Sequence, residues 1–88
     1  MAIEKEITLE NDAEIKYIRI EFLYVYNNRN AKTVFCRIGL YVSQASAKPV
    51  EIREMSYSWE DLGYTGSEEL FPLVYAKLKE TYAGAIDI

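Results

Sequence analysis

Two runs of alternating side chains, separated by an asparagine-rich break, constrain this chain more than any other feature. From Ile15 to Tyr26 the even positions are Lys16, Ile18, Ile20, Phe22, Tyr24 and Tyr26. From Val34 to Val42 they are Val34, Cys36, Ile38, Leu40 and Val42. A period of two in β-branched and aromatic residues marks a strand, because successive side chains point to opposite faces of a sheet. Between the runs, Asn27-Asn28-Arg29-Asn30 predicts a hairpin loop of about four or five residues, since asparagine tolerates the tight backbone geometry of turns. The odd positions of the first run include Arg19 and Glu21, then Leu23 and Val25. Its second half is therefore apolar on both faces, as in a central strand or one whose far side meets another chain.

The remaining segments fit around that hairpin. Ile3, Ile7 and Leu9 alternate with Glu4, Glu6, Thr8 and Glu10, which predicts a half-buried strand turning at Asn11-Asp12. Ser43 to Pro49 loses alternation and reads as a connector. Met55, Tyr57 and Trp59 alternate with Glu54, Ser56, Ser58 and Glu60, which predicts a strand running through Trp59. Val50 and Ile52 fall in the opposite register, which predicts a bulge near Arg53 or Glu54. After the loop Asp61 to Gly66, Phe71, Val74, Tyr75, Leu78 and Tyr82 follow at the three- and four-residue spacing of an amphipathic helix. Ser67 is its candidate N-cap and Gly84 its terminator. Pro72 belongs near the first turn and draws the regular part toward Leu70. The tail Ala85 to Ile88 is a candidate edge strand. The expected fold is α+β: a twisted antiparallel sheet of about four strands, built from hairpins and packed against one C-terminal helix.

At 88 residues the expectation is a single domain over 1–88, too short to divide its apolar side chains between two cores. Half the residues are apolar and 14% aromatic, above the composition of disordered chains. A net charge of −4 with dispersed basic residues argues against nucleic-acid binding, which needs clustered Lys and Arg. The longest uncharged apolar run, Phe22 to Tyr26, has five residues, against roughly 18 to 20 for a span, so no membrane partner is expected.

The chain contains no histidine and one cysteine, Cys36. The usual general base, triad orienter and metal ligand are therefore missing, and one thiol cannot build a zinc site or an internal disulfide. Cys36 lies within the apolar register and reads as a small buried hydrophobe. Gly63 and Gly66 lack the lysine of a phosphate loop. The adjacent acids Glu60-Asp61 and Glu68-Glu69 read as solvated or capping groups. The expectation is a non-enzymatic chain with no catalytic residue, cofactor or metal.

Eight tyrosines stand out, a residue suited both to half-exposed sheet faces and to protein interfaces. One helix covers one face of a sheet. With the even positions turned inward, the odd face of the hairpin is left over, and Leu23, Val25, Phe35 and Tyr41 become the candidate protein interface.

The order of features also resembles small proteins encoded among the tail genes of phages and prophages. The resemblance rests on Ile7-Thr8-Leu9, Tyr17-Ile18-Arg19-Ile20, Tyr41-Val42-Ser43 with alanines after it, Tyr75-Ala76-Lys77-Leu78-Lys79 and Ala85-Ile86-Asp87-Ile88. It implies a structural or assembly role in a tail or baseplate region, with protein partners, a second copy among them, and no chemistry. The chain would then reside in the cytoplasm of a bacterial host or in the virion. The alternative expectation is a small acidic regulatory or inhibitory module that captures a host protein.

Overall fold

The computed structural model describes residues 2–29 and 31–88; Asn30 of the predicted hairpin loop lies outside them. The elements are β1 (Ile3–Thr8), β2 (Glu14–Asn27), β3 (Lys32–Tyr41), β4 (Glu51–Ser58), α1 (Trp59–Leu62), α2 (Leu70–Thr81) and β5 (Ile86–Asp87). The strands form one sheet in the order β4-β3-β2-β1-β5, and every pairing is antiparallel. The chain is α+β, with five strands where the alternation predicts about four; the fifth is the short tail strand.

Local chemistry explains the turns. Asp12 closes the β1–β2 hairpin at φ 67°, a left-handed conformation that aspartate adopts more readily than most residues. The Ala13 N–H donates to Asn11 Oδ1 at 3.1 Å beside it. In the second loop Ala31 N–H donates to Asn28 Oδ1 at 2.8 Å.

The main core lies between the sheet and the helices, with a smaller cluster of Ala2, Tyr17 and Tyr41 on the other face. Ile18, Ile20, Val34, Cys36, Ile38 and Leu40 of the central strands cluster with Val74, Tyr75 and Leu78 of α2 and with Trp59 and Leu62 of α1. Burial pushes the Cys36 thiol up to about 11, so it stays protonated at neutral pH and packs as an apolar group.

α2 begins at Leu70, with Glu69 at the N-cap position making no side-chain cap bond. This places Pro72 third in the helix, where an N–H has no intrahelical partner to lose. Ser67 is thus outside the helix, and Glu68 organises the approach instead: its carboxylate accepts from Thr65 N–H at 2.7 Å and from the Thr65 hydroxyl. Those donors hold Glu68 below the usual carboxylate range.

Two further expectations are corrected. β4 pairs with β3 in unbroken register from Glu51 to Ser58, so there is no bulge near Arg53; Ile52 simply faces the other way from Met55. Trp59 is not a strand residue. Ser58 turns the chain by accepting from Asp61 N–H at 3.0 Å, and Trp59 opens the four-residue helix α1, which Gly63 ends at φ 72°.

Candidate functional site

The ladder is interrupted not in β4 but in β1, between Glu4 and Ile7, and in β2, where the consequence for the outer face is larger. Pairing runs Ile18↔Leu40 and Ile20↔Ile38, then shifts to Phe22↔Arg37, Leu23↔Cys36, Tyr24↔Phe35 and Val25↔Val34. One extra residue, Glu21, is inserted, and beyond it every side chain of β2 changes face. Before the bulge the even residues Ile18 and Ile20 face the helix with Leu40 and Ile38. After it the odd residues do.

The insertion is tied down on both sides of the sheet. On the core side, the Ile20 N–H donates to the Tyr75 hydroxyl of α2 at 3.0 Å, which satisfies a backbone donor at the point where the ladder is interrupted. Desolvation raises the Tyr75 pKa, so the hydroxyl remains neutral. Tyr75→Phe keeps the ring and removes the acceptor. The expected result is a loss of about 1–3 kcal/mol in urea unfolding, the usual cost of an unsatisfied buried donor; an unchanged midpoint would mean that the bulge does not depend on the helix.

On the opposite face, Glu21, Arg19 and Tyr41 converge above Gly39. Arg19 Nη2 donates to the Tyr41 hydroxyl at 2.8 Å, and that hydroxyl in turn donates to Glu21 Oε1. The guanidinium also lies 4.9 Å from the Tyr41 ring centroid, and Tyr17 meets Tyr41 edge-on at 5.8 Å. Gly39 supplies the space, because a Cβ there would lie 2.5 Å from Glu21 Oε1 and 2.8 Å from Tyr41 Cε2.

Past this cluster the outer face becomes aromatic. Phe22, Tyr24 and Tyr26 stand in a row along β2, each close to half exposed at 46%, 49% and 46%. Phe22 stacks on Tyr24 at 6.4 Å, Tyr24 approaches Tyr26 at 4.7 Å, and Phe35 of β3 meets Phe22 edge-on at 6.4 Å. Arg37 lies 6.0 Å from the Phe22 centroid and pairs with Glu54 of β4 at 3.7 Å. The β4 positions facing the same way include Ser56 and Ser58, partners of Phe35 and Thr33, and Ile52, 52% exposed. α2 lies on the other face, and its 12 residues are about 18 Å long, less than half of the 42 Å long axis of the molecule.

The four interface residues predicted from the sequence do not share a surface. Leu23 pairs with the buried Cys36 and packs half-buried against the core. Val25 pairs with Val34 and so belongs to the same core face, yet it is 38% exposed. Tyr41 does face outward but is 2% exposed, enclosed with Ala2 and Tyr17. Phe35 alone joins the aromatic row. The residues missed are Phe22, Tyr24 and Tyr26, assigned to the core because their even numbering continued that of Ile18 and Ile20. The available signal was the parity change itself: polar odd positions stop at Glu21 and apolar ones follow.

Other features offer less. A shallow groove lined by Glu6, Ile7, Thr8, Glu14, Ile15 and Lys16 lies where β1 meets β2, with Lys16 and Glu6 3.8 Å apart and both largely exposed. Among the described residues no three His, Cys, Asp or Glu side chains are grouped to hold a metal ion. No helix among them is long and apolar enough to cross a membrane. The Trp59 indole N–H is buried without an acceptor among the described residues, while the Lys32 ammonium lies 5.3 Å from its ring centroid and Tyr64 packs edge-on at 4.8 Å. No family model, curated protein or solved structure matches the chain.

Proposed function

We propose that this chain is a non-enzymatic structural or assembly protein that works through protein–protein contacts on the outer face of its sheet. The role is the one implied by its resemblance to small proteins of phage tail-gene regions, and it places the chain in a bacterial host or in the virion. The observation that carries the reading is the row Phe22, Tyr24 and Tyr26, close to half exposed and joined at Phe22 by the half-buried Phe35, while α2 occupies the other face. Contiguous exposed aromatic surface is costly to leave in water and marks contact sites. Tyrosine and phenylalanine are also the side chains enriched in such contacts. Fixed on two long paired strands, they are presented with little ordering entropy left to lose on docking.

A photo-crosslinking residue at position 24 tests the reading in the protein's native cells, with the same residue at Phe71, an exposed α2 position, as control. Adducts formed from position 24 and not from position 71 are expected. Labelling from position 71 alone would assign the contact surface to the helix side and end this reading.

A further inference from the structure

We propose that the outer half of the β2–β3 hairpin has two registers, and that the bulge at Glu21 is the switch between them. β2 is pinned before the bulge and loose after it. Ile15, Tyr17, Ile18 and Ile20 are buried, whereas from Glu21 to Asn27 only Leu23 is even half-buried. A buried face is what specifies register, so a stretch without one is prone to slip. Phe22 to Tyr26 is also apolar at every position, and either parity can be turned toward the core side.

The template for both registers is β3. It pairs with β4 without a break from Thr33 to Leu40, and its Val34 and Cys36 are fully buried. Without the bulge, the pairing Ile20↔Ile38 would continue as Glu21↔Arg37, Phe22↔Cys36, Leu23↔Phe35, Tyr24↔Val34 and Tyr26↔Lys32. Glu21 would then stand opposite Arg37, and opposite charges facing across strands attract. Phe22 would take the half-buried place of Leu23. Tyr24 would take the place of Val25, which is 38% exposed and keeps a tyrosine hydroxyl in reach of water. The hairpin now closes at Asn27↔Lys32 with four residues between; the slip would make it five, and both are common loop lengths.

What opposes the slip is the grip on Glu21, which lies 3.5 Å from Arg19 and accepts from the Tyr41 hydroxyl. These contacts make the bulged register the major one. They are partly solvated, and ion pairs in water hold weakly, so the second register is a minor state on the order of 1% of molecules.

The consequence is a contact surface that can be withdrawn. In the second register Phe22, Tyr24 and Tyr26 leave the outer face, and Leu23 and Val25 replace them. A partner gripping the aromatic row holds the bulged register by its differential affinity, a coupling that rests on the contact role proposed for that face.

The test is disulfide trapping in the purified chain, with the native thiol removed by Cys36→Ala. Leu23→Cys with Phe35→Cys puts the two thiols on opposite faces in the bulged register, where they cannot bond without backbone movement. In the second register they are directly opposed. Tyr24→Cys with Phe35→Cys reports the bulged register, in which those positions pair. Both pairs are expected to oxidise under native conditions, the first more slowly. Deleting Glu21 joins Ile20 to Phe22 and makes the described pairing the unbroken one, leaving nothing to stand opposite Arg37 in the other. The deletion is expected to slow the 23–35 bond by about tenfold or more and to spare the 24–35 bond, with circular dichroism confirming the fold. No bond at 23–35, or one that forms as fast without Glu21, overturns the inference. If the deleted chain does not fold, NMR relaxation dispersion on the wild type decides. Exchange on the microsecond-to-millisecond scale is expected at amides 21–27 and not at 15–20, and its absence from 21–27 overturns the inference. Either failure leaves the contact face standing, because the cross-linker at position 24 tests that face separately. Labelling from position 71 alone ends the contact reading and leaves the two registers.

Discussion

Leu78→Ala is expected to lower the unfolding free energy by about 3 kcal/mol, toward the lower end of the range for emptying a leucine site in a closed core. For a domain of this length the melting temperature should fall by roughly 12–24 °C. Leu78 is fully buried on α2 among Val74, Tyr75 and the central strand residues. Alanine is the strongest helix former, so the substitution leaves α2 at no disadvantage as a helix and isolates packing. The loss is large relative to the total stability of a small domain, about 5–15 kcal/mol. Urea titration followed by tryptophan fluorescence reads the midpoint, with the slope expected to stay the same. A loss below about 1 kcal/mol would mean that the helix sits loosely on the sheet.

Gly39→Val sets two effects against each other. Intrinsic strand propensity favours valine over glycine by up to ~1 kcal/mol. Sterics oppose it, because the new Cβ would meet Glu21 Oε1 at 2.5 Å and the Tyr41 ring at 2.8 Å. Sterics should win. The Glu21 carboxylate can swing aside only by giving up Tyr41 and Arg19, and the Tyr41 ring is enclosed by Tyr17 and Ala2. The expected outcome is destabilisation by about 1–3 kcal/mol, typical of overpacking. In a Glu21→Ala background the penalty should shrink, because neighbours that share one contact do not add. Thermal melts of the two singles and the double give the coupling. A Gly39→Val chain more stable than wild type would show that this space is not needed.

Much of the architecture was legible because periodicity reports it directly. The β1 strand, the asparagine hairpin and the Phe71-to-Tyr82 helix follow from spacing and turn chemistry, as does the return of the tail to the sheet. The contact surface was misassigned for one physical reason, although the switch from polar to apolar odd positions after Glu21 marked it. Face assignment by parity assumes an unbroken ladder, and Glu21 breaks it. A glutamate by itself does not announce a bulge, and the partner beside this one is distant: the Ile20 N–H donates to the Tyr75 hydroxyl, 55 residues further along the chain. Ser58-Trp59 failed differently, since a cap that forms at Asp61 overrode the alternation that ran through Trp59. Ile52 needed no bulge to explain it, because an exposed apolar residue on an outer face is ordinary.

The order of the strands also fixes the sequence in which they can assemble. β1 to β4 form a meander in which each strand pairs with its successor in the chain, so each closure spans a short loop and gives up little chain entropy. The β1–β5 pairing joins Ile3 to Asp87 and Glu4 to Ile86, contacts between opposite ends of the chain. Their closure becomes cheap only after the meander and helix have drawn those ends together. The tail strand is therefore expected to act as a latch, the last part of the sheet to register and the first to let go, held by its two paired residues, the Ile88 N–H to Ala2 carbonyl bond and the Lys79–Asp87 ion pair.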